Sequence, residues 1–216
     1  MLQVYHNLKP TITKICQQLK LKLTKATGRP LAINPIEIIT LGVYKQRQSI
    51  ATKKAIWNDF TPPCSYKTLV VNLNRFAYHI LLVVMAILRL NRNDAHPVKF
   101  TDSTDLPVCL PKNANTHRVM RGLAAWGRSA KGLYYGLKMH ITTDWRRQIL
   151  SLAFSPANTD DRAPFLTLNK DLSGVFVADA GYVSAPLAQS FNTDFRLLLA
   201  KPRKNMKKLI TAWQSF

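Results

Sequence analysis

Glutamate is nearly missing from this chain. Glu37 is the only one, and 11 acids face 31 lysines and arginines, a formal net charge of +20 over 216 residues. Such an excess repels itself and is tolerated most easily beside a polyanion. Nucleic acid is the favoured partner, and an anionic membrane is the rival. Long hydrophobic runs are also absent. The most apolar stretch, Tyr78 to Leu90, contains His79 and falls short of the roughly 20 residues that a spanning helix needs. A buried core helix accounts for it, and no membrane partner is expected. Lys, His and Gln interrupt the apolar positions from Met1 to Gln18, which excludes a signal peptide there. Cysteine is scarce. Cys16, Cys64 and Cys109 are odd in number and lack CxxC spacing, which argues against a disulfide framework and for reduced thiols in a cytosolic protein. No Cys or His pair has zinc-ligand spacing.

What is present is enough apolar residue, 47%, for a real core. The length allows one full domain and a smaller one. Residues 1–95 read as helical. Ile12, Ile15, Cys16, Leu19 and Leu23 recur near the 3.6 period within an expected helix from Met1 to Lys25. Asn34-Pro35 opens a second helix, with Asn as N-cap and Pro in the first turn. Ser49 is expected to cap a shorter helix through Trp57. Ser65 is expected to start a long one, Tyr66 to Leu90. These helices form either a helix-turn-helix, with Lys53, Lys54, Lys67 and Arg75 available for phosphates, or an ordinary bundle with solvated lysines.

The polar stretch Asn91 to Pro97 marks the domain boundary, and beyond it the periodicity changes. Val98 to Asp102 reads as a short strand. Tyr134 to Thr142 and Gln148 to Phe154 read as a hairpin around Asp144 to Arg147. Asp160 and Asp161 open a helix through Asn169, as charges at its positive end. Val175 to Asp179 is an apolar strand, Ser184 caps a helix through Phe191, and Phe195 to Ala200 is a last buried strand. The order predicts an α/β unit, a mixed sheet with helices covering its faces.

Two aspartates stand out. Asp102 and Asp179 each end an apolar run, where a buried strand emerges. Either both are plain strand-end turn residues, or their strands are neighbours and the carboxylates meet at one edge. Two carboxylates forced together repel unless a cation sits between them. Oxygen ligands of this kind suit Mg²⁺ or Mn²⁺. Asp105 reads as a turn residue, and His140 as a packed or hydrogen-bonded strand residue. His117 either touches phosphate or is solvated. Ser103 and Cys109 have no evident base partner, so nucleophilic catalysis is not supported.

Four segments in order, Thr101 to Cys109 (TDSTDLPVC), Gly122 to Ser129 (GLAAWGRS), Tyr135 to His140 (YGLKMH) and Ala178 to Tyr182 (ADAGY), resemble bacterial DDE transposases, in particular the insertion-sequence-982 family. The resemblance covers roughly 96–208, and more loosely the helical N-terminus. It implies a ribonuclease H-like catalytic domain over 96–216, preceded by an all-helical N-terminal domain. It also implies Mg²⁺-dependent nicking at transposon ends, transfer of the freed 3′-hydroxyl into target DNA, a homodimer on DNA and a nucleoid-associated place in a bacterial cytoplasm. By motif match, Asp102 and Asp179 are the first two catalytic, metal-binding acids. The family's third acid is a Glu on a helix after the last strand. No residue from Ala180 to Phe216 is a Glu, and the one Asp there, Asp194, precedes a strand. The expectation is a copy shortened at its C-terminus, lacking that helix, and a poor or dead catalyst. The alternative is a non-catalytic DNA-binding remnant or an inhibitor of the full-length enzyme.

Two basic clusters are the expected DNA contacts. One is the loop from Lys112 to Lys131, with Arg118, Arg121, Arg128 and Lys131, placed beside the proposed acids. Its Trp126 either meets a base or anchors the loop in the core. The other is Lys201, Arg203, Lys204, Lys207 and Lys208, which is either a phosphate grip or a solvated run.

Overall fold

Asn34 caps a helix as expected, its side chain accepting from the Ile36 amide at 2.8 Å, with Pro35 in the first turn. The structure, a computed structural model, describes residues 2–23, 30–130 and 132–202. Two compact units divide the chain, Met1–Arg89 and Leu90–Phe216.

The first unit holds α1 (Leu2–Gln18), α2 (Pro35–Arg47), α3 (Lys53–Phe60), α4 (Tyr66–Arg75) and most of α5 (Ala77–Asn93). Ile12, Ile15, Ile38, Ile39, Tyr44, Ile56 and Leu69 are buried in one core. Three expectations change. The first helix stops at Gln18, before Leu19 and Leu23. Ser49 is not the cap of α3; Thr52 is, accepting from the Ala55 amide at 3.1 Å. Ser49 instead ends α2 in the left-handed region, φ 52°, so that the Ile50 amide turns back to the Lys45 carbonyl. The long helix from Tyr66 is two helices, bent by 58° at Phe76. Phe76 is buried with Leu69, Leu73 and Val83, so both segments serve the same core. Among the described residues no single helix is long and apolar enough to cross a membrane, although α4 and α5 together pass by length and composition. Lys53 and Lys54 are engaged locally, Lys53 with the Asn74 side chain at 2.7 Å and Lys54 over the Trp57 ring.

The second unit is built on a sheet of β1 (Val98–Cys109), β2 (Ala125–Ser129), β3 (Gly132–Asp144), β4 (Ile149–Pro156), β5 (Gly174–Ala178) and β6 (Arg196–Ala200). The strand order is β2-β3-β1-β5-β6, and β4 pairs with the part of β3 beyond β2. β1, β3 and their hairpin partners are antiparallel, whereas β5 and β6 run parallel to β1. Short helices α6 (Phe165–Leu168) and α7 (Ala185–Phe191) contribute Phe165, Leu187 and Phe191 to a core with Leu150, Phe176, Tyr182 and Leu198.

β1 does not end at Asp102. It continues to Cys109 because β3 pairs with it throughout, from Lys99↔Asp144 to Cys109↔Tyr135. Pro107 is accommodated at a register shift, opposite Gly136, where a Cβ would come within 2.1 Å of the Leu106 carbonyl oxygen. The expected helix from Asp160 shrinks to Phe165–Leu168. Pro164 disfavours helix at the residue before it. The loop from Lys112 to Lys131 contains a 3₁₀ turn, Pro111–Thr116, and the edge strand β2.

Asp144 is fully buried and accepts from the Gln148 amide (2.9 Å), the His96 amide (3.2 Å) and Arg146 Nε (3.3 Å). Burial pushes its carboxyl up, but these donors outweigh burial and hold it below the usual carboxylate range. A depressed folded value means stability that is present above the unfolded value and lost as pH falls through the folded one. Asp144→Ala is expected to cost about 2–4 kcal/mol by stranding buried donors. The check is the urea midpoint at neutral pH, with the cost shrinking in acid.

Candidate acidic site at the sheet edge

Parallel pairing of β1 with β5 ends at Thr101↔Ala178. The next residues are Asp102 and Asp179, so the two acids stand side by side where β5 leaves the sheet. Pairing of β5 with β6 ends at Ala178↔Ala200, which sets Lys201 beside Asp179, its amide bonding the Ala178 carbonyl at 3.4 Å. This edge therefore lines up Asp102, Asp179 and Lys201 on three adjacent strands, all exposed.

Local backbone fixes both carboxylates. Asp102 Oδ1 accepts from the Ser103 amide at 2.8 Å. Asp179 Oδ1 accepts from the Gly181 amide at 2.9 Å, capping the 3₁₀ turn Ala180–Tyr182. Desolvation by the surrounding protein raises the Asp102 carboxyl above its ordinary value, against the Ser103 amide, and repulsion from Asp179 and Asp161 raises it further. That repulsion is what a cation would relieve.

Asp161 is the residue that sequence reasoning misplaced. It caps no helix. Its Oδ1 accepts from Ser103 Oγ at 2.8 Å and pairs with Lys138 Nζ at 3.0 Å, and Lys138 also donates to the Thr159 carbonyl at 2.9 Å. Asp160 turns the other way, to Arg162, whose guanidinium pushes its carboxyl down to about 2. No sequence signal separates the two neighbours; the turn after β4 does.

The donor set is hard oxygen, which suits Mg²⁺ or Mn²⁺. At Gly181 a Cβ would stand 3.0 Å from Asp179 Oδ1 and 3.8 Å from Asp161 Oδ2, so the missing side chain keeps the space beside them open. Among the described residues, however, no three His, Cys, Asp or Glu side chains are gathered tightly enough to hold one ion. Asp105 is not a turn residue; it lies within β1 and accepts from the Tyr134 hydroxyl at 2.7 Å. His140 is buried, with Nε2 at 2.8 Å from Ser155 Oγ, and burial lowers its pKa. His117 is half-buried, its ring edge-on to Tyr135.

The first basic cluster is not beside the acids. Arg118 and Arg121 are exposed near β2, and Trp126 and Arg128 lie on β2 itself, also exposed. Trp126 meets the Tyr135 ring edge-on at 5.6 Å and is 43% exposed, so it is no buried anchor. β2 reaches β1 through Gly136, which pairs with Pro107. Pro107 lies five residue steps along β1 from Asp102, about 17 Å along the sheet. Of the second cluster Lys201 sits at the acidic edge, while Arg203, Lys204, Lys207 and Lys208, like Lys131 of the first cluster, lie outside the described residues.

A family model described as "Transposase DDE domain" matches residues 92–215. A solved structure, the cryo-EM structure of a piggyBac transposase synaptic complex with hairpin DNA, is similar at a TM-score of 0.46 and 10% identity. That likeness covers 94% of this chain and 50% of the other, so the chain spans half the length of that protein. No curated protein matches the sequence.

Proposed function

Because the chain belongs to the transposase DDE domain family, we propose that it acts on DNA at the ends of an insertion sequence, through an acidic pair made by Asp102 and Asp179. The adjacency of those two acids on parallel neighbours β1 and β5 carries this reading. The strand order β4-β3-β1-β5-β6, with three antiparallel strands followed by two parallel ones, supports a ribonuclease H-like catalytic unit. The four motifs support a place in the insertion-sequence-982 family, in a bacterial host.

Asp102 and Asp179 would hold Mg²⁺ or Mn²⁺. A divalent ion there supplies Lewis-acid stabilisation of phosphodiester cleavage and a water activated for attack. The chain's own residues do the rest. Lys201, next along the edge, pairs with the phosphate that reaches the acids. Arg118, Arg121, Arg128 and Trp126 hold the duplex further along, a separation that an extended polyanion spans. Lys67 and Arg75, exposed on the helical unit, add further phosphate contacts, and synapsis of two ends calls for a homodimer on DNA.

The test is a purified chain with supercoiled plasmid and Mn²⁺. Nicked circles that require the ion assign the acidic pair a catalytic role. Binding without nicking assigns the chain a non-catalytic DNA-binding role instead, in competition with an active enzyme. Affinity for duplex DNA should also drop roughly 10³-fold between about 50 and 200 mM salt, as for six or more phosphate contacts. Fluorescence anisotropy measures it. A flat salt dependence would remove the phosphate grip.

A further inference from the structure

One face of the second unit's sheet is covered and the other is open. Paired residues stand on the same face, and successive residues alternate, so register sorts the side chains. Phe176 pairs with Leu198 across β5 and β6, and both are buried with Phe165 of α6 and Phe191 of α7. Their strand neighbours point the other way. Val175 pairs with Leu197, Val177 with Leu199, and Phe100 of β1 with Val177. None of these five apolar residues belongs to a buried core among the described residues. Phe100 is 37% exposed and Leu199 36%, and the other three are half-buried. Parallel strands are ordinarily covered on both faces, and a continuous apolar run is their signature. Val175 to Ala178 and Leu197 to Ala200 are such runs, with one face left to water.

A second observation lies in the sequence that follows the sheet. β6 ends at Ala200, and residues 203–216 come two positions later, outside the described residues. Met206, Leu209, Ile210, Trp213 and Phe216 recur at the helical period, with Lys207, Lys208, Thr211 and Gln214 off that stripe. Asn205 stands where an N-cap is expected. An isolated helix this short is marginal in water, so such a stripe needs a surface to pack on.

We propose that the segment 203–216 docks as an amphipathic helix on the open face of β6, β5 and β1. The dimensions agree. A helix over 206–216 is about 16 Å long, and the 5-residue strands β5 and β6 span about 17 Å. With its side chains a helix is about 10–12 Å across, enough to cover three strands spaced about 4.8 Å apart. The chain leaves β6 at the edge that holds Asp102 and Asp179, so the helix starts at that edge and returns along the strands. Lys207 and Lys208 then face solvent, near Lys201. The segment has no Asp or Glu, so it covers the sheet without adding an acid. Phosphate contact by these lysines rests on the DNA reading given above; the docking does not.

Hydrogen exchange of the full chain, followed by mass spectrometry, tests the docking. Amides from Ile210 to Phe216 are expected to exchange about 10-fold or more slower than in an unstructured chain. That slowing is lost in Trp213→Asp and also in Leu199→Asp, on the other side of the contact. Thr211→Glu, off the stripe, keeps it. Slowing that survives Leu199→Asp, in a chain whose circular dichroism is unchanged, describes a helix seated elsewhere and overturns the proposal. Free exchange of the segment in the unsubstituted chain overturns it too. If DNA-free chain then sediments as a dimer that Leu199→Asp splits, the open face belongs to a second copy. Should Leu199→Asp fail to fold, hydroxyl-radical labelling reads the same contact. Phe100 and Leu199 are expected to oxidise severalfold faster in Trp213→Asp than in the unsubstituted chain, and equal rates overturn the docking.

Discussion

Asp102→Asn is expected to weaken Mn²⁺ binding by more than about 100-fold, beyond the usual effect of losing an outer partner of a metal ligand, and to end ion-dependent nicking. The amide oxygen of Asn still accepts from the Ser103 amide, so the strand keeps its local bond and only the charge goes. Asp179→Asn works the same way, because the turn it caps needs an acceptor for the Gly181 amide and not an anion. DNA affinity should hold or rise in both variants, since an anion beside the phosphate track has been removed. Anisotropy with duplex DNA in chelator separates the two effects. If either variant lost DNA affinity while keeping its fold, these acids would be serving the protein surface and not an ion.

The second large effect is on stability. Phe176 is wholly buried in β5, its ring edge-on to Phe191 at 4.9 Å and to Phe165 at 6.3 Å, with the Lys99 ammonium 5.6 Å from its centroid. Phe176→Ala removes a large side chain from the middle of the second unit's core, and the expected cost is about 3–5 kcal/mol. Phe154, on β4, is 58% exposed, and Phe154→Ala should cost no more than about 0.5 kcal/mol. Urea unfolding of the two variants tests the contrast. Phe176 also belongs to the site, because β5 carries Asp179 three residues on and its register against β1 sets the acids abreast. Mn²⁺ affinity should therefore fall in Phe176→Ala under conditions where the chain remains folded. Equal costs at the two positions would mean that this cluster is not the core.

Local signals were legible where one residue type decides the backbone. Asn34, Ser65 and Ser184 cap the helices that follow them, because a short polar side chain there satisfies a free amide. Hairpin and apolar strands were legible for the same reason, since alternation and β-branched runs act within a few residues. Signals failed where distant pairing took over. Ser49 looks like a cap and serves as a helix stop. Asp102 looks like a strand end and lies within a 12-residue strand, because β3 supports it after β5 departs. Trp126 and Arg128 look like loop residues and sit on an edge strand paired with β3.

The chain's own residues determined its strong positive charge, its α/β character and the two aspartates that open the acidic edge, because charge and short-range periodicity are written residue by residue. Tertiary structure alone decided which carboxylates share that edge. Strand order places Lys201 with Asp102 and Asp179 and moves the β2 cluster away. One turn sends Asp160 out to Arg162 and Asp161 in to Ser103 and Lys138. Proximity between residues far apart in sequence depends on register and crossover, and neither has a local signature.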